Sequence, residues 1–203
     1  STPTAGTSNV RFGVNAGNSI TSGGDENVCI GDEAGTAITV GNNNVAVGSQ
    51  ALYSDTKGDR NVAVGRGALY SQNFTSSTDS YNTAVGYAAG EGMTTGVQNT
   101  LIGGLAGDAL TDADYNVAIG YSSLSADKLG SKSTAIGVGA LESQRPVDGS
   151  GNDVATDMYN TAVGYTAGLS VSTGVENTFI GGLAGDALTD ADYNVALGYQ
   201  ALT

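Results

Sequence analysis

Two acidic segments of this chain carry carboxylates at a spacing that could bind a divalent cation. The first contains Asp108, Asp112 and Asp114, and the second repeats it 78 positions later with Asp186, Asp190 and Asp192. Carboxylate oxygens are the ligands that Ca²⁺ prefers in proteins. These six residues are the candidate calcium ligands of the chain, and a solvated acidic turn is the alternative interpretation of the same pattern.

The first acidic segment begins like an EF-hand loop but does not continue as one. Its sequence Asp112-Ala-Asp114-Tyr-Asn116 is followed by Val117 where the loop needs glycine and by Ser123 where it needs the closing glutamate. An EF-hand is therefore excluded. A calcium site of another kind would have to use Asp108, Asp112 and Asp114, for instance around the three-fold axis of an assembly.

Catalytic chemistry has little support in the sequence. Ser54 and Lys57, and likewise Ser125 and Lys128, match the Ser-x-x-Lys pattern of acylating serine enzymes. That pattern needs a helix and two companion motifs, whereas both copies lie in predicted turns between repeat units. The chain has no histidine, the most common general base. We therefore expect a protein that is not an enzyme and that needs no cofactor other than the candidate Ca²⁺.

Tyrosines and one unusual loop are the candidate recognition residues. Tyr87 and Tyr165 occur at equivalent positions of repeated segments. An exposed tyrosine can stack on a sugar ring, although packing at a subunit interface or at a corner of the repeat unit is the alternative. Arg145 and Asp148 belong to the most distinctive loop sequence, and loops vary freely on a rigid scaffold. An insertion that is merely tolerated is the alternative interpretation of this loop. These four residues are the candidate receptor contacts.

A short repeat organises the whole chain. Its unit consists of Asn, then Val or Thr, a residue that is usually small, then Val, Ile or Leu, and finally Gly, as in Asn44-Val45-Ala46-Val47-Gly48. Eleven units follow one another, and seven of the ten spacings between them are 17 residues. Their first residues are Asn9, Asn27, Asn44, Asn61, Asn82, Asn99, Asn116, Ser133, Asn160, Asn177 and Asn194.

Longer spacings and a larger duplication overlie this repeat. The longer spacings place insertions within residues 71–80 and 142–157. Residues 81–124 match residues 159–202 almost completely, which indicates a recent duplication. We expect residues 1–203 to form a single repeat array, and to be an excerpt of a longer fibre chain.

The repeat predicts an all-β protein, a parallel β-solenoid of about eleven 17-residue coils. Alternation of β-branched and small residues is typical of a short strand with one buried face. One such unit cannot bury its own apolar side, but stacked units can, with backbone hydrogen bonds running from coil to coil. Stacked asparagines can form a similar ladder through their side chains. The glycine of each unit is expected to make a bend.

The motifs resemble those of a known family. Residues Asn43-Asn44-Val45-Ala46-Val47-Gly48 are similar to the Asn-Ser-Val-Ala-Ile-Gly repeat of YadA-like trimeric autotransporter adhesin heads. The resemblance implies a left-handed β-roll in a homotrimer, with Val45 and Val47 filling the interior. The third residue of each unit would then point away from the interior towards another packed surface, an orientation that itself favours oligomerisation.

A second sequence variant of the repeat resembles the repeats of viral fibres. Asn82-Thr-Ala-Val-Gly-Tyr87, with Ala-Leu closing other units, looks more like phage tail-fibre repeats. We therefore expect a shaft segment of a trimeric tail fibre, located in the virion and supporting attachment to a host receptor. The alternative is the head of a bacterial surface adhesin, located on the cell surface and binding glycan or matrix protein.

Charge and hydropathy limit the partners. The net charge is −13, from 20 acidic and 7 basic residues. A surface of this sign repels phosphate backbones, so we expect no nucleic-acid partner. No apolar run approaches the roughly 20 residues of a membrane helix, so we expect no membrane insertion of this segment. A host-cell glycan or protein remains the expected external partner.

Overall fold

The regular elements of the protein are short β-strands. A computed structural model describes residues 6–203, and within that range it contains fifteen strands and no helix. The strands are β1 (Val10–Phe12), β2 (Val28–Ile30), β3 (Val45–Val47), β4 (Gly58–Asp59), β5 (Val62–Val64), β6 (Thr78–Asp79), β7 (Thr83–Val85), β8 (Thr100–Ile102), β9 (Val117–Ile119), β10 (Gly130–Ser131), β11 (Thr134–Ile136), β12 (Thr156–Asp157), β13 (Thr161–Val163), β14 (Thr178–Ile180) and β15 (Val195–Leu197).

Eleven of these strands form one parallel sheet. Its order is β1-β2-β3-β5-β7-β8-β9-β11-β13-β14-β15, so each repeat unit contributes one strand and pairs with the next unit along the chain. The register aligns identical motif positions, as in Val45 with Val62 and Ala46 with Ala63. The predicted β-solenoid of eleven coils is therefore confirmed. We number the coils 1 to 11 by their first residues, from Asn9 to Asn194.

An asparagine ladder runs through the solenoid, as the sequence predicted. The side-chain oxygen of Asn27 accepts hydrogen bonds from the backbone N–H and the side-chain amide of Asn44, at 3.0 and 3.1 Å. The amide of Asn44 also donates to the Gly58 carbonyl at 2.8 Å. Both asparagines are completely buried. Each asparagine thus satisfies backbone groups of two coils that would otherwise lack a partner inside the protein.

The orientation predicted for the strands is wrong. From coil 2 onwards the middle residue of each three-residue strand faces the interior and is buried, as are Ala46, Cys29 and Phe179, whereas Arg11 in coil 1 is exposed. Val45 and Val47, which were expected to fill the interior, are only half-buried and point outwards. Both sides of the strand are apolar, so alternation alone could not distinguish the inner from the outer side. The interior is narrow. Where the opposite side of the coil contributes a leucine, only alanine fits at the inward position of the strand.

That leucine comes from the opposite wall of the coil, four residues after the turn glycine. Leu52 occupies this position in coil 3 and is completely buried. Coil 2 has Gly35 there instead, and a Cβ on Gly35 would lie 2.7 Å from the Cys29 sulfur and 2.9 Å from Ile38 Cδ1. The interior is therefore filled in one of two ways: by a leucine at this position, or by a glycine with a large side chain three residues later.

The two fillings alternate in pairs of coils. Coils 1, 2, 5, 6, 9 and 10 carry the glycine, and coils 3, 4, 7, 8 and 11 carry the leucine. Every leucine coil has alanine at the inward strand position, whereas Leu101 and Phe179 occur there only in glycine coils. The inward strand residue and the residue opposite it thus compensate for each other in volume. Two glycine coils followed by two leucine coils form a unit of four coils.

The turn glycine at the end of each strand is required by close stacking. Gly48 has φ 130°, a backbone conformation that other residues adopt only at a cost. A Cβ on Gly48 would lie 2.6 Å from the carbonyl oxygen of Gly65 in the next coil. The predicted bend is confirmed, and the glycines stack directly on one another along the solenoid.

Both insertions leave the solenoid at the end of a four-coil unit. The first joins coil 4 to coil 5, and its strand β6 pairs with β4 of coil 3. The second joins coil 8 to coil 9, and its strand β12 pairs with β10 of coil 7. Each insertion therefore pairs with a strand two coils before the coil that it leads into.

Candidate functional site

The outer side of the eleven-stranded sheet is the most extensive surface feature of the described residues. We call it the outer face and define it by the first and third residues of the eleven long strands. These positions hold valine, isoleucine, threonine, leucine and one phenylalanine, and no charged residue. Because the strands stack in register, the outer face is two unbroken columns of uncharged side chains along the whole solenoid.

The outer face remains open to solvent in a single chain. Ile102 and Ile180 are about two-fifths exposed, at 38% and 41%. Eleven strands spaced by about 4.8 Å give the face a length of roughly 50 Å. Soluble proteins rarely leave an apolar surface of that extent uncovered. Its lack of charged residues suits contact with another protein surface.

Two further columns border the outer face. The leading column consists of the residue before the first residue of each coil motif, and the trailing column of the residue after the turn glycine. Both contain tyrosine in coils 5, 7, 9 and 11, with side chains at least half exposed. The leading tyrosines are Tyr81, Tyr115, Tyr159 and Tyr193, and the trailing tyrosines are Tyr87, Tyr121, Tyr165 and Tyr199.

Cations lie over some of these rings. Arg60 is 5.6 Å from the ring centroid of Tyr81, and Arg66 is 5.8 Å from that of Tyr87. Lys132 lies 5.1 Å from the ring centroid of Tyr159 and donates a hydrogen bond of 2.6 Å to Asp157. This hydrogen bond and a second one of 3.1 Å to the Tyr159 hydroxyl raise the pKa of Lys132. Each cation belongs to the coil preceding the tyrosine and covers one side of its ring.

The four predicted receptor contacts fall into two separate places. Tyr87 and Tyr165 lie in the trailing column, in coils 5 and 9, and are 57% and 64% exposed. Arg145 and Asp148 lie in the second insertion, where they do not contact each other. Arg145 instead donates to Asp153 at 2.5 Å.

The second insertion is held by short-range polar contacts. Asp153 also pairs with Lys128 at 3.1 Å, and the hydrogen bonds from Arg145 and Lys128 lower the pKa of Asp153. Asp148 accepts hydrogen bonds from Asn152 and from the backbone of Ser150, which lower its pKa. The insertion is thus an ordered, exposed loop with opposite charges at its base.

The candidate calcium ligands do not form a cluster. Across residues 6–203, no three acidic or cysteine side chains lie close enough together to share a metal ion. Asp112 accepts a hydrogen bond from Thr95 at 2.6 Å, and Asp114 accepts one from the backbone of Val97 at 2.7 Å. Both carboxylates therefore bridge neighbouring coils.

The remaining acidic candidates are similarly dispersed. Asp192 repeats the bridging contact of Asp114 through the backbone of Val175, at 2.8 Å, and Asp190 accepts from Thr189 at 3.2 Å. Asp108 is half-buried, and burial raises its pKa, as does the charge of Glu91 nearby. Its counterpart Asp186 is half-buried too. A cation shared between chains by these residues stays a prediction.

The two lysines of the Ser-x-x-Lys segments both contact insertions. Lys57 donates to the Thr75 carbonyl at 3.0 Å, and Lys128 pairs with Asp153 as described. Ser54 donates its backbone N–H to Tyr70 of the next coil, at 3.2 Å. The two lysines thus connect the solenoid to the insertions, whereas Ser54 connects two successive coils.

Two buried polar networks anchor the insertions, and sequence reasoning missed them. In the first, Gln72 donates to Asp55 at 2.6 Å and accepts from Asn82 at 2.9 Å. In the second, Gln144 donates to Asp127 at 2.6 Å and accepts from Asn160 at 2.8 Å. The signal was present, because each glutamine follows a leucine by three residues and lies near the start of its insertion segment.

The carboxylates of these networks are unusual in being almost fully buried. Burial raises the pKa of Asp55 and of Asp127, and the hydrogen bonds from Gln72 and Gln144 oppose that rise. Asp55 also accepts from the backbone of Gly58 at 2.9 Å. At the second insertion Gln144 also donates to the hydroxyl of Ser133, at 2.9 Å, and so connects Asn160 to the serine that replaces asparagine in the ladder.

Cys29 is a packing residue. It is completely buried at the inward position of coil 2, as a small hydrophobic side chain would be. Burial raises the pKa of its thiol to about 11. The thiol is therefore protonated and unreactive at neutral pH.

Membrane-spanning helices are not found: within residues 6–203 there is no helix of the length and hydropathy needed to cross a bilayer. Comparisons of the chain with protein-family models, with curated proteins and with solved structures each found no match.

Proposed function

We propose that this chain is a segment of the shaft of a homotrimeric viral tail fibre, in which it holds a receptor-binding tip away from the virion. The observation that carries the proposal is the outer face: an uncharged, apolar surface along the full length of a rigid solenoid. In a shaft, this face would be covered by the same face of neighbouring copies. The resemblance of the coil motif to tail-fibre repeats supports the same function.

The extent of the outer face is sufficient for a specific assembly. With its two bordering columns it is about seven residues wide, or roughly 20 Å, and so covers on the order of 1,000 Å². In a trimer each chain divides this face between two neighbours, so each contact buries roughly 1,000 Å² in total from both partners, about the minimum for a specific interface. Absence of charge at the centre of the face agrees with the depletion of charged residues in interface cores.

Sedimentation velocity of the 203-residue chain tests the proposal. We expect a trimer, and we expect Ile119→Lys, which places a charge at the middle of the outer face, to sediment as a monomer with an unchanged β-sheet circular dichroism spectrum. Ala187→Lys is the matched control, because Ala187 is exposed on another side of the coil. A wild-type chain that stays monomeric at high concentration would overturn the proposal.

A bacterial adhesin head is the second candidate. It is favoured by the second insertion, an exposed loop that presents Arg145 and Asp148. In that case the labelled chain would bind host cells or extracellular matrix, and a variant lacking residues 147–153 would not. As a shaft segment, the chain would bind neither.

A further inference from the structure

The tyrosines that border the outer face occur in matched pairs. In coils 5, 7, 9 and 11 both the leading and the trailing column contain tyrosine, and in the coils between them neither does. The duplication of residues 81–124 accounts for the second two pairs. It does not account for the match between coils 5 and 7, which belong to the same copy.

A single chain does not explain this matching. The two tyrosines of one coil, such as Tyr115 and Tyr121, lie on opposite edges of the sheet with a strand between them. They are 50% and 57% exposed. Among the described residues the one stacked pair of aromatic rings is Tyr53 with Tyr70, elsewhere on the coil.

Parallel copies of the chain would bring the two columns together. When outer faces meet around an axis parallel to the solenoid, the leading column of one copy lies against the trailing column of the next. Closed symmetry places all copies at the same height. Each coil then meets the same coil of its neighbour, so that tyrosine meets tyrosine four times along the array.

Two of the three coils between the tyrosine pairs are complementary in size, and the third, coil 8, has Lys132 and Val138 in these columns. Coil 6 has Gln98 in the leading column and Gly104 in the trailing column, and coil 10 has Glu176 and Gly182. A long side chain would thus face a glycine at the same height. If neighbouring copies were shifted by one coil, tyrosines would lie against these glycines and long side chains. Both the pairing of tyrosine with tyrosine and the pairing of a long side chain with glycine would then be lost.

We propose that the two tyrosine columns form the seam between neighbouring parallel copies, with each leading tyrosine packed against the trailing tyrosine of the same coil in the next copy. This inference rests on the proposed function, because it takes a second copy of the chain as the partner. Offset or edge-to-face contacts between such rings have a definite geometry, so the seam would set the register of the assembly.

The seam is confined to coils 5–11. In coil 2 the two columns hold Glu26 and Asp32, and in coil 4 they hold Arg60 and Arg66. Like charges would meet there in the same arrangement. We therefore expect association to strengthen as salt screens these pairs, by several-fold between 0.05 and about 0.5 M salt. A weaker association in high salt would contradict this arrangement.

Cross-linking at coil 6 tests the seam without removing a tyrosine. The variant Gln98→Cys/Gly104→Cys, made with Cys29→Ala, is treated with a bismaleimide shorter than two coil rises, about 10 Å. A Cβ at position 104 meets the Tyr121 ring at 3.5 Å, an ordinary contact, so the substitution is tolerated. We expect the two cysteines to join neighbouring copies and to give a covalent three-chain product.

Two controls make the result specific. Gln98→Cys/Gly182→Cys uses the duplicated glycine four coils away, and it should give no interchain product. Gln98→Cys alone should give none either. A product from the single variant would show leading columns facing each other in antiparallel copies, and would overturn the seam.

Sedimentation of the same variants separates the two proposals. A trimer in which Gln98→Cys/Gly104→Cys gives no interchain product would overturn the seam and leave the proposed function standing. A chain that is monomeric throughout would overturn both. Glu176→Cys/Gly182→Cys repeats the matched test at coil 10 and should give the same product.

Discussion

The side-chain oxygen of Asn44 accepts two hydrogen bonds from Asn61, one coil further along the chain: from its backbone N–H at 2.9 Å and from its side-chain amide at 3.1 Å. Both residues are completely buried. The ladder therefore satisfies polar groups that no water reaches. A break in it leaves those groups without partners inside the solenoid.

Replacement of Asn44 by alanine should destabilise the array by about 2–4 kcal/mol, because it leaves the two Asn61 donors and the Gly58 carbonyl unpaired. Thermal unfolding followed by circular dichroism measures the loss. Asn43→Gln is the control, since Asn43 is exposed in a left-handed conformation and Gln98 adopts the same conformation in coil 6. Equal losses in the two variants would contradict the role of the ladder.

Substitution of adjacent strand residues should separate folding from assembly. Ala46→Asp places an unpaired charge in the interior, so we expect a loss of several kcal/mol and a reduced β-sheet signal. Val47→Asp places the same charge on the outer face, so the β-sheet signal should persist while the sedimentation coefficient falls. If Val47→Asp unfolded the chain and Ala46→Asp did not, the observed orientation of the strands would be refuted.

The two ways of filling the interior predict a compensating pair of substitutions. Gly35→Leu should cost about 1–3 kcal/mol, because the new side chain overlaps Cys29 and Ile38. Adding Ile38→Ala should recover part of that loss by restoring the interior volume. The measurement is a double-mutant cycle in urea unfolding. Additive losses would mean that the two positions do not share the same space.

The buried carboxylates predict a dependence of stability on pH. The pKa of Asp55 and of Asp127 is raised by burial from its ordinary value of 3.8, so the folded chain binds these protons more tightly than the unfolded chain. Their contribution to stability is complete below pH 3.8 and is lost as the pH rises through the folded-state pKa.

Melting temperatures measured across this range should therefore fall less steeply with rising pH in Asp127→Asn than in the wild type. Asp190→Asn, at an exposed aspartate, is the control and should leave the slope unchanged. The slope is the relevant readout, because the amide also alters the contact with Gln144. A wild-type slope in Asp127→Asn would contradict the assignment.

The second insertion should lose its order in strong acid. Hydrogen bonds from Arg145 and Lys128 lower the pKa of Asp153 below 3.8, so these contacts hold above that pH and are lost as the pH falls through the lowered value. Limited proteolysis with pepsin at pH 2 and at pH 4 should show faster cleavage within 145–157 at the lower pH. Asp153→Asn should be cleaved rapidly at both.

The asparagine and glycine columns were predictable from the sequence. Each asparagine or glycine is required because it contacts the equivalent residue in the next coil of the same chain. A residue that must stack on itself recurs at the spacing of the coil, so the sequence displays both the interaction and the number of coils. The insertions were visible for the same reason, as departures from a regular spacing. Their anchors, Gln72 and Gln144, were missed because they act on Asp55 and Asp127 in the preceding coil, 17 residues earlier.

The sequence by itself thus determined the stacking of eleven coils, since that depends on interactions which repeat every 17 residues. Only the tertiary structure decided that Ala46 faces inwards and Val47 outwards. Alternation separates the two sides of a strand, but the choice between them depends on what the opposite wall supplies. There Leu52, held at φ 50°, fills the space that valine would need. The same choice placed the larger apolar side chains on the outer face and so created the surface on which both proposals rest.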